Sequence, residues 1–294
     1  MAPFNNVLLI GAGGNLGVPV TKAFLKTSYN VSILSRQEST STFPDGVTVF
    51  KVDYKDTSAV TAAMKGQDVV ICMTGGIAAG DQNVFIDAAV SAGVKRFFPS
   101  EFGPYSLEPG LAELNPWLFP HKIATAKYLQ SKESQMSWTG LITGAFFDWA
   151  MKTGFFQLDI ATKSINLIDN GTAHFSATTL STIAKALIAC LDHAEETKNQ
   201  YVFISSFVIS QQDILDAVEK VDGHKWNVEH ITSDWIIERG QKRLGEGDFA
   251  GIKDLTNGAA FGYRAMGNVS RNGLWNDRLG LPKEDLEQAI KDVL

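Results

Sequence analysis

The chain has 294 residues, 45% hydrophobic, 20% charged and 10% aromatic, with a formal net charge of −6. That composition excludes disordered, collagen-like and coiled-coil classes and leaves a globular chain of one large domain or two modest ones. Acidic residues outnumber basic ones, no block of like charge occurs and no repeat of roughly 20 to 50 residues is visible, so solenoids and nucleic-acid binders with a basic stripe are excluded too.

The first apolar run, Val7–Ile10, ends at a glycine cluster and is too short for a signal segment or a membrane span, which predicts a soluble, cytoplasmic protein with no membrane contact. Further candidate strands are Val31–Leu34, Val47–Val52, Asp68–Met73, Arg96–Phe98 and Ser137–Ile142, with helical spacing in Val18–Leu25, Lys55–Met64 and Asp81–Ala92 between them. This alternation predicts a Rossmann-type, doubly wound parallel sheet with right-handed crossovers, and the unbroken apolar strands suit burial on both faces.

After about residue 150 the rhythm changes to helical patterns at Leu180–Leu191, Gln211–Val221 and Lys283–Val293. We therefore expect an α/β nucleotide-binding domain over residues 1–150 and a smaller C-terminal α+β substrate domain over 151–294, parts of which return to the first. The Gly- and Asn-rich stretch Gly245–Gly280 reads as loops that are mobile or cover a pocket, Ser39–Thr42 as a polar loop only, and Pro282 with the acids after it as a helix start. Cys72 and Cys190 sit in apolar segments and read as reduced, buried residues.

The first strand runs into Gly11-Ala12-Gly13-Gly14-Asn15-Leu16-Gly17 and then a helical pattern. In a dinucleotide site one glycine permits the tight turn, a second the approach of the pyrophosphate and a third close helix packing, while the helix N-terminus offers free N–H groups. Gly11, Gly14 and Gly17 fit those roles at the variant spacing G-x-x-G-x-x-G. Where NAD-specific sites carry an acid, the second strand ends in Ser35-Arg36, and a guanidinium beside a hydroxyl suits a 2′-phosphate, so NADP(H) is preferred over NAD(H); Glu38, two residues on, pulls the other way. Asp53, after the third strand, either meets the adenine edge or caps the Lys55–Met64 helix.

The segment Gln82–Gly103, QNVFIDAAVSAGVKRFFPSEFG, closely resembles the isoflavone-reductase-like and phenylcoumaran-benzylic-ether-reductase-like enzymes, atypical short-chain dehydrogenases of the NmrA-like group. GAGGNLG, Ala145–Trp149, Gly223–Trp226 and Leu279–Leu286 extend the likeness over nearly the whole chain. The resemblance implies an NADP(H)-dependent oxidoreductase of secondary metabolism, with the cofactor held by Gly11, Gly13, Gly14, Asn15, Leu16, Gly17, Ser35, Arg36, Met73, Thr74, Gly75, Lys122, Thr143 and Phe146, and with Gly76 in the same loop as Thr74. It also makes Lys122 the general acid or base. A lysine desolvated beside a cationic ring has its ammonium disfavoured, which moves its pKa toward the useful range; without the motif it would read as a surface lysine. Ala126 and Lys127 stand where the family carries two arginines. Tyr128 and Lys132 form a rival Y-x-x-x-K pair on the same helix, but Tyr128 and Lys122 lie about 240° apart around the axis, so both cannot face one ring.

Loops at the carboxyl ends of the strands bring Phe102, Tyr105, Phe146, Phe147 and Trp149, with Phe155 and Phe156 behind, and predict an aromatic-lined cavity for a small planar or polycyclic aromatic substrate. The five histidines show no metal spacing and no G-x-S-x-G elbow occurs, so neither a metal site nor a hydrolase is expected, and His121 reads as a wall residue. The function that follows is hydride transfer from NADPH to an aromatic acceptor, by a monomer or homodimer. Two alternatives keep the fold: a non-redox isomerase using Lys122 or Glu101, and an NADP-binding NmrA-like sensor without turnover.

Overall fold

The computed structural model describes residues 4–75 and 82–294. Gly76, expected in the loop after the fourth strand, and Asp81, expected at the start of a helix, lie outside the described residues. The chain runs β1 (Asn6–Ile10), α1 (Gly17–Phe24), β2 (Asn30–Arg36), β3 (Thr48–Val52), α2 (Thr57–Met64), β4 (Val69–Cys72), α3 (Asn83–Ala92), β5 (Arg96–Phe98), α4 (Leu111–Leu114), α5 (Phe119–Gln130) and β6 (Ser137–Ile142). It continues through β7 (Ala145–Phe146), α6 (Phe147–Lys152), β8 (Leu158–Asp159), β9 (Ser164–Ile168), β10 (Phe175–Thr178), α7 (Leu180–Asp192), β11 (Gln200–Phe203), β12 (Phe207–Ile209), α8 (Gln211–Asp222), β13 (Asn227–Ile231), α9 (Ser233–Gly245), α10 (Gly251–Phe261) and α11 (Leu286–Lys291).

Seven strands form one sheet in the order β11-β6-β5-β4-β1-β2-β3, and the pairs from β3 through β6 are parallel. All six strands expected from the sequence are present, with ends shifted by at most two residues. β11 was not anticipated, because Gln200–Phe203 lies in the helix-dominated half. Leu8, Ile10, Val70 and Cys72 pack with Val60 and Met64 of α2 and Phe85 and Ile86 of α3. Leu9 and Ile71, on the other face of the same strands, are equally inaccessible, so the central strands are covered on both sides, as their unbroken apolar runs require. The chain lays β2 and β3 to one side of β1 and then crosses back to place β4 on the other. This reversal creates a crevice at the carboxyl ends of β1 and β4, the position where open α/β sheets bind ligands.

Two compact units interleave along the chain: Met1–Phe102, Pro120–Leu141 and Ile183–Val202 form the first, and Gly103–Phe119, Ile142–Thr182 and Phe203–Leu294 the second. A single boundary at residue 150 does not separate them: most of α7 and β11 return to the first unit, as expected of parts of the C-terminal half, while residues 103–119 and 142–150 belong to the second. The second unit holds two three-stranded sheets, β12-β10-β7 and β13-β9-β8, each with one parallel and one antiparallel pair.

Within Gly245–Gly280, where loops are expected, Gly251–Phe261 is helix. The two glycines of this helix serve close packing: a Cβ at Gly251 would overlap the Gly240 carbonyl, and one at Gly258 would sit 2.5 Å from Ile237 Cγ1, so α9 and α10 approach backbone to backbone, whereas Gly247, Gly273 and Gly280 have positive φ and open space around them, as turn glycines do. Buried Asp254 on α10 accepts hydrogen bonds from Arg239 and Arg243 on α9. The last helix begins at Leu286, capped by Asp285, and not at Lys283, because the Glu284 carboxylate is drawn inward by the hydroxyls of Thr179, Thr182 and Ser206. No helix among the described residues is long and apolar enough to cross a membrane.

Candidate active site

Within the first unit the crevice is a groove of about 890 Å³ lined by Gly11–Gly14 after β1, Leu34–Arg36 of β2 and Met73–Gly75 after β4. Three glycines shape its floor in different ways. Gly11 has φ +80°, and a Cβ there would lie 2.7 Å from the Met73 carbonyl oxygen, so both the turn and the approach to β4 require glycine. At Gly17 a Cβ would overlap the Gly11 carbonyl and fall 2.6 Å from Ala12 Cα; without one, α1 packs directly on the turn. At Gly14 the nearest atom would be the Gly11 oxygen at 3.3 Å, so this glycine leaves its space to whatever fills the groove.

The first turn of α1 has no side-chain cap and no acidic residue, whereas α2, α8 and α9 are capped by Asp56, Ser210 and Thr232. The Val18 N–H turns back to the Gly14 carbonyl and Pro19 has none, so what fits an anion at that terminus is the positive end of the helix dipole, with no acidic side chain to oppose it. Leu16, in the cap position, is buried and Asn15 is exposed. Substituting Gly14 and Gly17 separates the two roles. Gly17→Ala is expected to cost about 1–3 kcal/mol of stability through overpacking, while Gly14→Ala should leave urea unfolding of the protein nearly unchanged and weaken nucleotide binding measured by calorimetry.

Ser39, Ser41, Phe43, Tyr54, Lys55, Val84 and Phe85 also line the groove, and the sequence reading did not assign them to it. In sequence Ser39 and Ser41 read as part of a polar loop only, yet they follow the carboxyl end of β2 on the crevice side, and that position is the signal that marks them. Tyr54 donates its hydroxyl to the Leu34 carbonyl and sets its ring edge-on to Phe85 at 4.8 Å; burial pushes its phenol up to about 12. Asp53 neither lines the groove nor caps α2. Its carboxylate accepts the Lys55 N–H, and Asp56 is the cap.

Because β4 and β5 pair in parallel, the loops after them lie side by side. Ser100 donates its hydroxyl to the Thr74 carbonyl at 2.5 Å, and its own N–H donates to the side-chain oxygen of Gln82 at 2.9 Å. One residue further, the Glu101 carbonyl accepts Lys122 Nζ of α5 at 2.6 Å. Lys122 is 7% exposed, and burial pulls its pKa below the ordinary lysine range, with the Glu101 charge partly opposing the shift. The contacts Thr74–Ser100 and Glu101–Lys122 thus tie a buried amine, which does not itself line the groove, to the loop that forms the groove's β4 edge. His121 is exposed. The rival pair is structural: Tyr128 donates to Asp87 on α3 at 2.5 Å, and Lys132 pairs with the same carboxylate at 3.4 Å. Ala126 is buried and Lys127 exposed.

Phe102 is buried at the end of the first unit. The other expected pocket residues belong to the second. Phe147 is fully buried and packs on Phe156 and Phe207, which makes both Phe147 and Phe156 core residues rather than the substrate wall expected of them. Tyr105 stacks edge-on with Phe203, and Trp149 tilts against Phe155. Thr143 is inaccessible and its carbonyl accepts the Thr178 hydroxyl, so its side chain is packed inside. Phe146 is half-buried on β7. A small apolar cavity of about 30 Å³ lies among Pro104, Ala145, Phe155, Phe175 and Phe261. Among the described residues no group of three or more His, Cys, Asp or Glu side chains is arranged to hold a metal ion.

Comparison with known proteins agrees with this architecture. The oxidoreductase poxI of Penicillium oxalicum is 33% identical over 292 residues, covering 96% of this chain and 92% of that protein. The crystal structure of isoflavone reductase superposes with a TM-score of 0.79 at 20% identity, covering 99% of this chain and all of that one. A complex of leucoanthocyanidin reductase with NADPH from Vitis vinifera gives a TM-score of 0.78 at 18% identity, over 98% and 99% of the two chains. The model of the NmrA-like family matches residues 4–239; the chain belongs to the NmrA-like family and is similar to its isoflavone-reductase-like members.

Proposed function

We propose that the protein is an NADPH-dependent reductase of a small aromatic or polycyclic molecule, with Lys122 as the group that moves the proton. The observation that carries this reading is the buried amine of Lys122, hydrogen-bonded to the Glu101 carbonyl next to the residue that grips the groove at Thr74. The groove fits the cofactor on its own terms. The positive end of α1, with no acidic residue in its first turn, suits a pyrophosphate, the side-chain-free backbone at Gly14 lets it approach, and Arg36 with Ser35, Ser39 and Ser41 offers donors for a 2′-phosphate. The similar oxidoreductase poxI and the fold shared with a leucoanthocyanidin reductase bound to NADPH support the redox reading.

When bound, the reduced nicotinamide supplies a hydride. Lys122 supplies the matching proton: one N–H is held by the Glu101 carbonyl, which aims the remaining two, and the lowered pKa eases their release. Tyr105, Phe146 and Trp149 are the proposed aromatic contacts of the substrate. Water exclusion and positioning contribute the remainder of the rate.

The test follows the absorbance of reduced nicotinamide with isoflavone- and flavan-type acceptors. Oxidation of NADPH in step with substrate loss is expected. Substrate conversion with unchanged absorbance would establish an isomerase instead, and tight nucleotide binding with no turnover across the panel would establish a sensor.

A further inference from the structure

The loop after β2 carries opposite charges two residues apart. Arg36 lines the groove, and its Nε lies 3.6 Å from Oε1 of Glu38, the two side chains being 65% and 69% exposed. The Ser39 N–H donates to the Arg36 carbonyl at 3.0 Å, closing residues 36–39 into a tight turn, and Lys51 Nζ holds the Ser39 carbonyl at 3.2 Å. An exposed ion pair of this length contributes little in water, so a phosphate dianion can take Arg36 from Glu38. The turn fixes the two backbones two residues apart, so the Glu38 carboxylate, at the rim rather than in the lining of the groove, stays within reach of a group that Arg36 binds.

We propose that Glu38 is a specificity-determining residue of the nucleotide groove: it shares Arg36 with the adenosine ribose, opposing a 2′-phosphate and accepting a 2′-hydroxyl, so that NADP and NAD are bound with a much smaller difference than Arg36 alone would give. The idea rests on the nucleotide reading above. A carboxylate about 6 Å from a phosphate dianion in water opposes it by roughly a tenfold factor in affinity. A carboxylate near the second strand's end is also the group that recognises an unphosphorylated ribose. One site therefore contains the determinants of both preferences, on neighbouring positions of one turn.

Calorimetric titration of NADP+ and NAD+ into the parent protein, Glu38→Gln and Glu38→Ala tests this at low salt and again at roughly 0.5 M salt. Both substitutions are expected to tighten NADP+ about tenfold, to leave NAD+ unchanged or weaker, and to lose most of their effect at high salt, where exposed charges are screened. Glu38 is exposed, so thermal unfolding should not move. An NADP+ to NAD+ affinity ratio that is the same in parent and variants, with NADP+ bound by all three, overturns the role of Glu38 and leaves the groove reading intact. A parent protein that takes up neither nucleotide overturns both, and the two failures are distinguished in the first titration.

Discussion

Lys122→Met is expected to lower kcat by about 10²- to 10⁴-fold, the range for removing a positioned acid or base, while nucleotide affinity stays close to that of the parent. The fold should be at least as stable at neutral pH. Burial lowers the Lys122 pKa, so the unfolded chain binds more protons there than the folded one, and stability rises with pH between the lowered value and the ordinary lysine range. Below that window the full cost of burying the ammonium is present, and methionine, of similar length, removes it. Urea midpoints at neutral pH and near pH 10 should converge, since the parent gains stability on deprotonation and the variant does not. In the rate profile the reductive reaction needs the ammonium. The kcat/KM of the parent should therefore fall as pH rises through a value below that of a free lysine, and the residual activity of Lys122→Met should lack this limb. A variant with parental turnover, or one that unfolds readily at neutral pH, would make Lys122 a structural residue.

The difference between what could be read in the sequence and what could not follows the range of the interactions. VLLI followed by GAGGNLG is local: an apolar run, a turn that needs a positive φ at Gly11 and a helix that closes on Gly17 are all set by near neighbours, so the dinucleotide crevice was legible. Lys122 was legible only through its motif, because its burial comes from the loop after β5, and α5 carries no apolar pattern that marks position 122 as inward. Ser39 and Ser41 were missed because a polar loop looks the same whether it meets solvent or a ligand groove. Phe147 was misread for the complementary reason, since aromatic composition does not separate a pocket wall from a core, and its contacts with Phe207 and Phe156 depend on how β12 and α6 pack. The glycines of α9 and α10 looked like loop formers because a close helix crossing leaves the same residues in the sequence as a flexible turn. β11 escaped notice because its partner strand is β6, far away along the chain.

Arg96 opens β5 just before the Ser100–Glu101 loop, and it read as nothing more than a strand residue. It is 1% exposed. Its Nε donates to the Ser137 hydroxyl at 2.7 Å, one terminal nitrogen to the Thr139 hydroxyl at 3.0 Å and the other to the Ala194 carbonyl at 2.7 Å, with the Phe4 ring 5.6 Å away. Burial pulls its pKa down, with Glu195 opposing, and each of these acceptors is a neutral oxygen. Arg96→Ala is expected to destabilise the protein by about 3–5 kcal/mol through the cavity it leaves and the unpaired Ala194 carbonyl. Arg96→Met should cost less, because it refills the volume, and the Ser137 and Thr139 hydroxyls keep their bonds to the Lys95 and Thr197 carbonyls. Arg96→Lys should be worse than Arg96→Met: an ammonium lacks the planar fork that reaches three directions and would be buried with most of its hydrogen bonds unmade. Chemical denaturation of the three variants checks this ranking. A lysine variant more stable than the methionine one would mean that position 96 needs only a positive charge, and that fork geometry does not hold the strand leading to Ser100 and Glu101.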